Sequence, residues 1–133
     1  MILVDSSAWI EFLRATGSPV HHRLRTELKK GSALAGSDVI VMEILAGARD
    51  DTDRNRLRRL LYGVEFLAVE GPEDYETAAE IFRACRGGGE TPRKLTDCLI
   101  AAVAIRSDAE LLCADPDFAA IARHTELRLS LPS

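Results

Sequence analysis

The 133-residue chain has no apolar run long enough to cross a membrane. Its longest, such as Val39–Met42 and Cys98–Ile105, fall well short of the ~18 residues required. No basic segment precedes Ile2-Leu3-Val4, and Asp5 interrupts that stretch at once, so the opening does not read as a signal peptide. Low-complexity tracts, internal repeats and linkers are missing, and a 47% hydrophobic fraction is too high for disorder. Cys85, Cys98 and Cys113 are odd in number and form no CxxC pair, so neither a disulfide framework nor a zinc site is indicated. They are expected in the core of a reduced, cytoplasmic protein. His21, His22 and His124 lack metal-ligand spacing and read as exposed helix residues. What remains is one domain over residues 1–133, able to bury about two thirds of its unfolded surface.

An excess of basic charge is also missing. Acids outnumber bases 21 to 17, a net charge of −4 that does not suggest a nucleic-acid binder. The bases are nevertheless clustered: Arg54, Arg56, Arg58 and Arg59 stand together, and Arg83, Arg86, Arg93 and Lys94 bracket Gly87-Gly88-Gly89. If four of the 21 acids belong to a metal site, 17 remain against 17 bases, and a phosphate-rich substrate stays open.

The patterning alternates strands with helices. Ile2-Leu3-Val4 reads as a buried parallel strand, and Ser6-Ser7 can cap a helix carrying Trp9, Ile10, Phe12 and Leu13. A helix fits from Pro19 to Lys30, stopped by Gly31, and Ala33-Leu34-Ala35 is a weak strand. Val39 to Ala48 is too long for one strand and reads as a buried helix. Helices follow from about Asp53 to Tyr62 and from Glu73, behind Pro72, to Arg86, with a strand over Glu65–Val69 between them. Thr91-Pro92 can open the apolar helix that includes Leu95–Ser107. Leu111–Cys113 is a strand, Phe118–Arg123 a short helix, and Leu127–Leu129 a last strand. This alternation specifies a parallel sheet covered on both faces, with ligands bound outside the strands' carboxyl ends. Asp5 and Asp115 should therefore share that edge.

Four acids stand out. Asp5 closes the first strand, and Glu43 lies in Val39-Ile-Val-Met-Glu43-Ile-Leu-Ala-Gly with apolar neighbours on every side. Asp97 interrupts an equally apolar stretch, and Asp115 opens Asp115-Pro-Asp117. Each has an ordinary explanation on its own: a loop acid, a buried ion pair, a favourable helix first turn, or an Asp-Pro turn. Convergence of all four would be different. Carboxylates ~4 Å apart repel by about 4 kcal/mol at an effective dielectric of 20, so such a cluster binds protons or a hard cation. Oxygen-only ligands favour Mg²⁺ or Mn²⁺ over zinc, and magnesium commonly completes its shell with water and substrate phosphate. That chemistry is phosphodiester hydrolysis.

Val4-Asp5-Ser6-Ser7-Ala8-Trp9-Ile10 resembles the opening of PIN-domain nucleases, most closely the VapC toxins of bacterial toxin–antitoxin pairs. Met42-Glu43-Ile44-Leu45-Ala46-Gly47, Asp97-Cys98-Leu99-Ile100-Ala101-Ala102 and Asp115-Pro116-Asp117-Phe118 extend the resemblance over essentially the whole chain. It implies a three-layer α/β/α sandwich with a five-stranded parallel sheet, and a Mg²⁺-dependent endoribonuclease in which Mn²⁺ can substitute. A cognate VapB-type antitoxin, a homodimer and an RNA substrate are the implied partners, with no membrane involved. The catalytic quartet is then Asp5, Glu43, Asp97 and Asp115, with Asp5 and Asp97 as direct metal ligands. Ser6 is the hydroxyl that orients them, and Asp117 is an auxiliary acid. Arg86, Arg93 and Lys94 are the residues expected to hold RNA. Cys113-Ala114-Asp115 departs from the family's Thr-x-Asp and removes a second hydroxyl from the site.

A phospho-receiver domain also gathers acids at strand ends. It needs a phosphoacceptor Asp after the third strand and a Lys after the fifth, and this sequence has neither. An inactive PIN-like module that only binds RNA or protein is disfavoured by the presence of all four acids.

Overall fold

Burial along the strands shows how the sheet is enclosed. Successive strand side chains point to opposite faces, so a strand buried at every position is covered on both sides. Strand β1 (Ile2–Val4) and strand β2 (Leu34–Gly36) are buried throughout in the computed structural model, which describes residues 1–131. Strands β3 (Glu65–Phe66) and β4 (Glu110–Leu112) complete a parallel sheet of order β3-β2-β1-β4. Leu3 pairs with Ala35 on one side and with Leu111 on the other.

Among the described residues, seven helices connect and cover the strands: α1 (Ser6–Leu13), α2 (Pro19–Lys30), α3 (Asp38–Ala46), α4 (Asp51–Leu61), α5 (Glu73–Gly87), α6 (Leu95–Arg106) and α7 (Asp117–His124). Helix α6 is the most enclosed, with every residue from Asp97 to Ala104 buried. The chain moves outward from β1 through β2 to β3 and then returns to set β4 on the free side of β1. That reversal opens a crevice at the carboxyl ends of β1 and β4, where ligands of open parallel sheets bind.

Several elements differ from the sequence reading. Among the described residues the sheet has four strands, not five: Leu127–Leu129 makes only an isolated parallel bridge, Leu129 to Leu111. Two hydrogen bonds flank that bridge, Leu111 N–H to Arg128 O and Ser130 N–H to Leu111 O. The Leu127 N–H is diverted to Thr125 Oγ1, so pairing stops there. Strand β3 is shorter than Glu65–Val69 because the Val69 N–H donates to Asp38 Oδ1. Thr91-Pro92 does not open α6, which begins at Leu95 with Lys94 in an extended conformation. Asp5, rather than Ser6 or Ser7, caps α1 by accepting the Ser7 N–H. His21 is buried, its Nδ1 accepting the Gly17 N–H. Cys113 is only half-buried, whereas Cys85 and Cys98 lie in the core as expected.

The site's first acid, Asp5, caps helix α1, and Trp9 anchors that helix. This indole is fully buried, packs edge-to-face on Phe12 at 6.2 Å, and leaves Nε1 without a partner. Trp9→Ala is expected to cost about 3–5 kcal/mol through the cavity it leaves. Trp9→Phe should cost much less, because it fills most of that volume and removes the unpaired N–H. Urea unfolding of the two variants beside the parent measures the difference.

Candidate active site

The crevice collects acids from four separate elements. Asp5 is 2% exposed because it ends a fully buried strand, and Asp97 is 2% exposed because it lies in the first turn of the enclosed α6. Glu43 is half-buried on α3, and Ser6 Oγ donates to its Oε1 at 3.1 Å. Asp115 follows β4, and its Oδ1 accepts the Asp117 N–H at 2.9 Å. Carboxylate oxygens of Asp97, Asp115 and Asp117 all lie within 4.8 Å of one another. Asp97 also feels the charges of Asp5, Asp115 and Glu43, which places all five acids in one electrostatic cluster.

Among the described residues, two carboxylate oxygens of this cluster are deeply buried with no hydrogen-bond partner: Asp5 Oδ1 and Asp97 Oδ2. An orphaned buried acceptor loses its hydration without replacement, at about 1–3 kcal/mol, and more if charged. Asp97 responds by holding its proton. Burial first, then the neighbouring carboxylates, push its carboxyl up to about 7 against the pull of Lys94. Burial also raises Asp5, aided by Glu43 and opposed by hydrogen bonds from Ser7. All donors here are hard oxygens suited to a divalent cation; those of Asp97, Asp115 and Asp117 lie close enough to share one, and Asp5 adds its charge beside Asp97.

Ser7 is a site residue the sequence reading missed. Its Oγ donates to Asp5 Oδ2 at 2.5 Å and accepts the Ala114 N–H at 2.9 Å, tying the end of β1 to the segment after β4. The signal was a hydroxyl two residues after an Asp, where a helix cap is completed. Cys113 faces the same cluster. Burial, with Asp5, Asp115 and Asp97 nearby, pushes its thiol up to about 12, so it stays neutral.

The three basic residues expected to hold RNA divide. Arg93 Nε lies 3.0 Å from Asp117 Oδ2 and its Nη2 3.0 Å from Asp115 Oδ1. Lys94 Nζ stands 3.8 Å from Asp97 and 3.9 Å from Asp115. Burial works against ionisation of Asp117, but the hydrogen bonds and charge of Arg93 outweigh it and hold that carboxyl below its ordinary range. The structure does not bring Arg86 to these acids; its guanidinium lies 5.8 Å over the Phe82 ring. The loop leading to Arg93 is fixed at Gly88, where the His124 ring leaves no room for a Cβ. Glu90 adds to this by accepting from Arg123 and His124.

The PIN-domain family model matches residues 2–124, the span that contains all of these acids. The chain belongs to the PIN-domain family. Within it, the chain falls with the VapC ribonucleases. It is 47% identical to Ribonuclease VapC11 of Mycobacterium tuberculosis over 129 residues, 96% of each chain. The same identity and coverage relate it to the VapC ribonuclease Mb1587 of Mycobacterium bovis. Among solved structures, VapBC2 of Rickettsia felis bound to a promoter DNA fragment superposes with a TM-score of 0.77 over 100% of both chains. At 17% identity, that likeness shows the fold alone.

A pH dependence follows for the metal-free PIN domain. Asp97 keeps its proton to about pH 7 when folded but ionises near 3.8 when unfolded, so ionisation favours unfolding between those values. Stability should fall as pH rises through that window, by at most about 4 kcal/mol from Asp97, with a further share from Asp5. Asp97→Asn should remove its share of the slope and melt higher than the parent at pH 8. Denaturant unfolding in EDTA at several pH values measures this, and equal slopes would contradict it.

Proposed function

We propose that this PIN domain, acting as one unit over residues 1–133, is a divalent-metal-dependent endoribonuclease and the toxin of a toxin–antitoxin pair. The observation that carries the reading is the pair of buried, unpartnered carboxylate oxygens on Asp5 and Asp97, surrounded by three further acids. Such a group is costly to keep in an apoprotein and useful once a cation is supplied. Mg²⁺ fits best, with Mn²⁺ able to replace it, because all the donors are hard oxygens.

Asp5 and Asp97 would hold the ion. When bound, it supplies an acidified water and neutralises charge at the scissile phosphate. Glu43, whose Oε1 already accepts from Ser6, has Oε2 to orient the attacking water and receive its proton. Asp115 and Asp117 close the acidic wall and hold Arg93 at its rim, where Arg93 and Lys94 would meet RNA phosphates. Arg86, on α5 and over the Phe82 ring, would contact RNA away from those acids. The 47% identity to proteins named as VapC ribonucleases supports RNA as substrate. VapBC structures among the neighbours support a VapB-type antitoxin as partner, and a homodimer that assembles further with it is part of the same proposal. Among the described residues no helix is long and apolar enough to cross a membrane, which suits a toxin acting in the cytoplasm.

Purified parent protein should cleave total RNA in Mg²⁺ and stop in EDTA. Asp97→Asn should fold and keep antitoxin binding but cleave about 100-fold more slowly or worse, and its expression should no longer arrest growth. Mg²⁺ at 100 times its Kd should stabilise the parent by about 2.7 kcal/mol. Near-parental cleavage by the folded variant would overturn the assignment.

A further inference from the structure

The acids are bounded on their Asp115 side by a cleft of 470 Å³, within the usual size range of small-ligand sites. Val20, Cys113, Ala119, Leu129 and Leu131 give it apolar walls, and among the described residues no basic side chain lines it. A cleft on the Glu43 side differs, since Arg14, Arg49 and Arg56 line it. Burying a phosphate against apolar walls without a cation is unfavourable, whereas a nucleobase has broad apolar faces and polar edges. Among the polar groups lining it, Ser18 Oγ is engaged by Thr16 and the His21 N–H and Asp115 by Arg93, which leaves Glu11 to meet such an edge. Glu11, on the helix that Asp5 caps, lines the cleft; its Oε1 accepts from Thr16 Oγ1 at 3.0 Å, and among the described residues Oε2 accepts nothing. An ionised carboxylate only accepts hydrogen bonds, so it selects an edge that donates.

Resting on the endoribonuclease reading, we infer that this cleft is a specificity pocket for the nucleobase next to the scissile phosphate, with Glu11 selecting a base that carries an amino group. Asp115 belongs to both the acidic cluster and the cleft wall, so a phosphate over the acids puts its own nucleoside at the cleft mouth. Cytosine, adenine and guanine each offer an exocyclic amino donor, while uracil has only its N3–H, flanked by two carbonyl oxygens that repel the carboxylate, and so binds more weakly. Glu11 touches the base and not the reacting atoms, so it sets preference rather than rate.

The test uses the full chain with Mg²⁺ and the four nucleoside 5′-monophosphates, which contain no internucleotide bond to cut. Methyl NMR signals of Val20, Leu129 and Leu131 report occupancy of the cleft directly. The expected result is a saturable shift of these methyls, with uridine monophosphate weaker than cytidine monophosphate by about tenfold. Glu11→Gln, whose amide also donates, should bring the two within about threefold. Val20→Phe should abolish the shifts of Leu129 and Leu131 by filling the cleft. Because binding is read without turnover, a failure of RNA cleavage leaves this result interpretable on its own. Shifts confined to the residues around Asp97 and Asp115, or equal affinity for all four bases in parent and Glu11→Gln alike, would overturn the proposal.

Discussion

Desolvation of carboxylates that sit too close together is the constraint on which this molecule turns. Asp5 and Asp97 are each 2% exposed, and each leaves one oxygen without a hydrogen-bond partner. Neither position is free to move. Asp5 is fixed by the end of β1 and by its cap on α1, and Asp97 by the first turn of α6. The fold therefore concentrates negative charge that it does not itself fully neutralise. Proton uptake by Asp97, with its carboxyl near 7, and the cations Arg93 and Lys94 offset part of that charge. A divalent cation is the species able to offset the rest.

The parallel sheet explains why the acids meet where they do. A chain that winds from β1 to β3 and then crosses to β4 creates one reversal, and the residues after β1 and β4 flank it. Asp5 directly follows β1, and Asp115 lies just beyond Cys113 and Ala114 after β4. Glu43 and Asp97 reach the same crevice from α3 and α6, and Ser6 and Ser7 connect the groups by hydrogen bonds. Hydroxyls and backbone amides thus hold the carboxylates at fixed positions, as a metal centre needs.

Much of this was legible in the sequence, for identifiable reasons. Asp5, Glu43 and Asp97 were conspicuous because each breaks an apolar run, and a buried acid without a partner is physically anomalous. The α2 boundaries followed from Pro19 at its start and Gly31, with φ of +68°, at its end. The errors came from side chains that take backbone donors out of the sheet. Thr125 captures the Leu127 N–H and leaves a single bridge where a fifth strand was expected, and Asp38 shortens β3 in the same way. Residue type also does not reveal which base pairs with which acid. Arg93 and Lys94 read as bases that hold RNA, yet a 24-residue separation in sequence disappears where Arg93 meets Asp117.

The most direct test of the central claim is where a divalent ion sits. A crystal of the protein grown with Mn²⁺ and measured at wavelengths either side of the manganese edge would locate it by anomalous scattering. The account predicts a peak bonded to Asp5 Oδ1 and Asp97 Oδ2 at about 2.0–2.3 Å, with Glu43, Asp115 and Asp117 around it. A peak elsewhere, or none at these carboxylates with millimolar Mn²⁺ present, would contradict it.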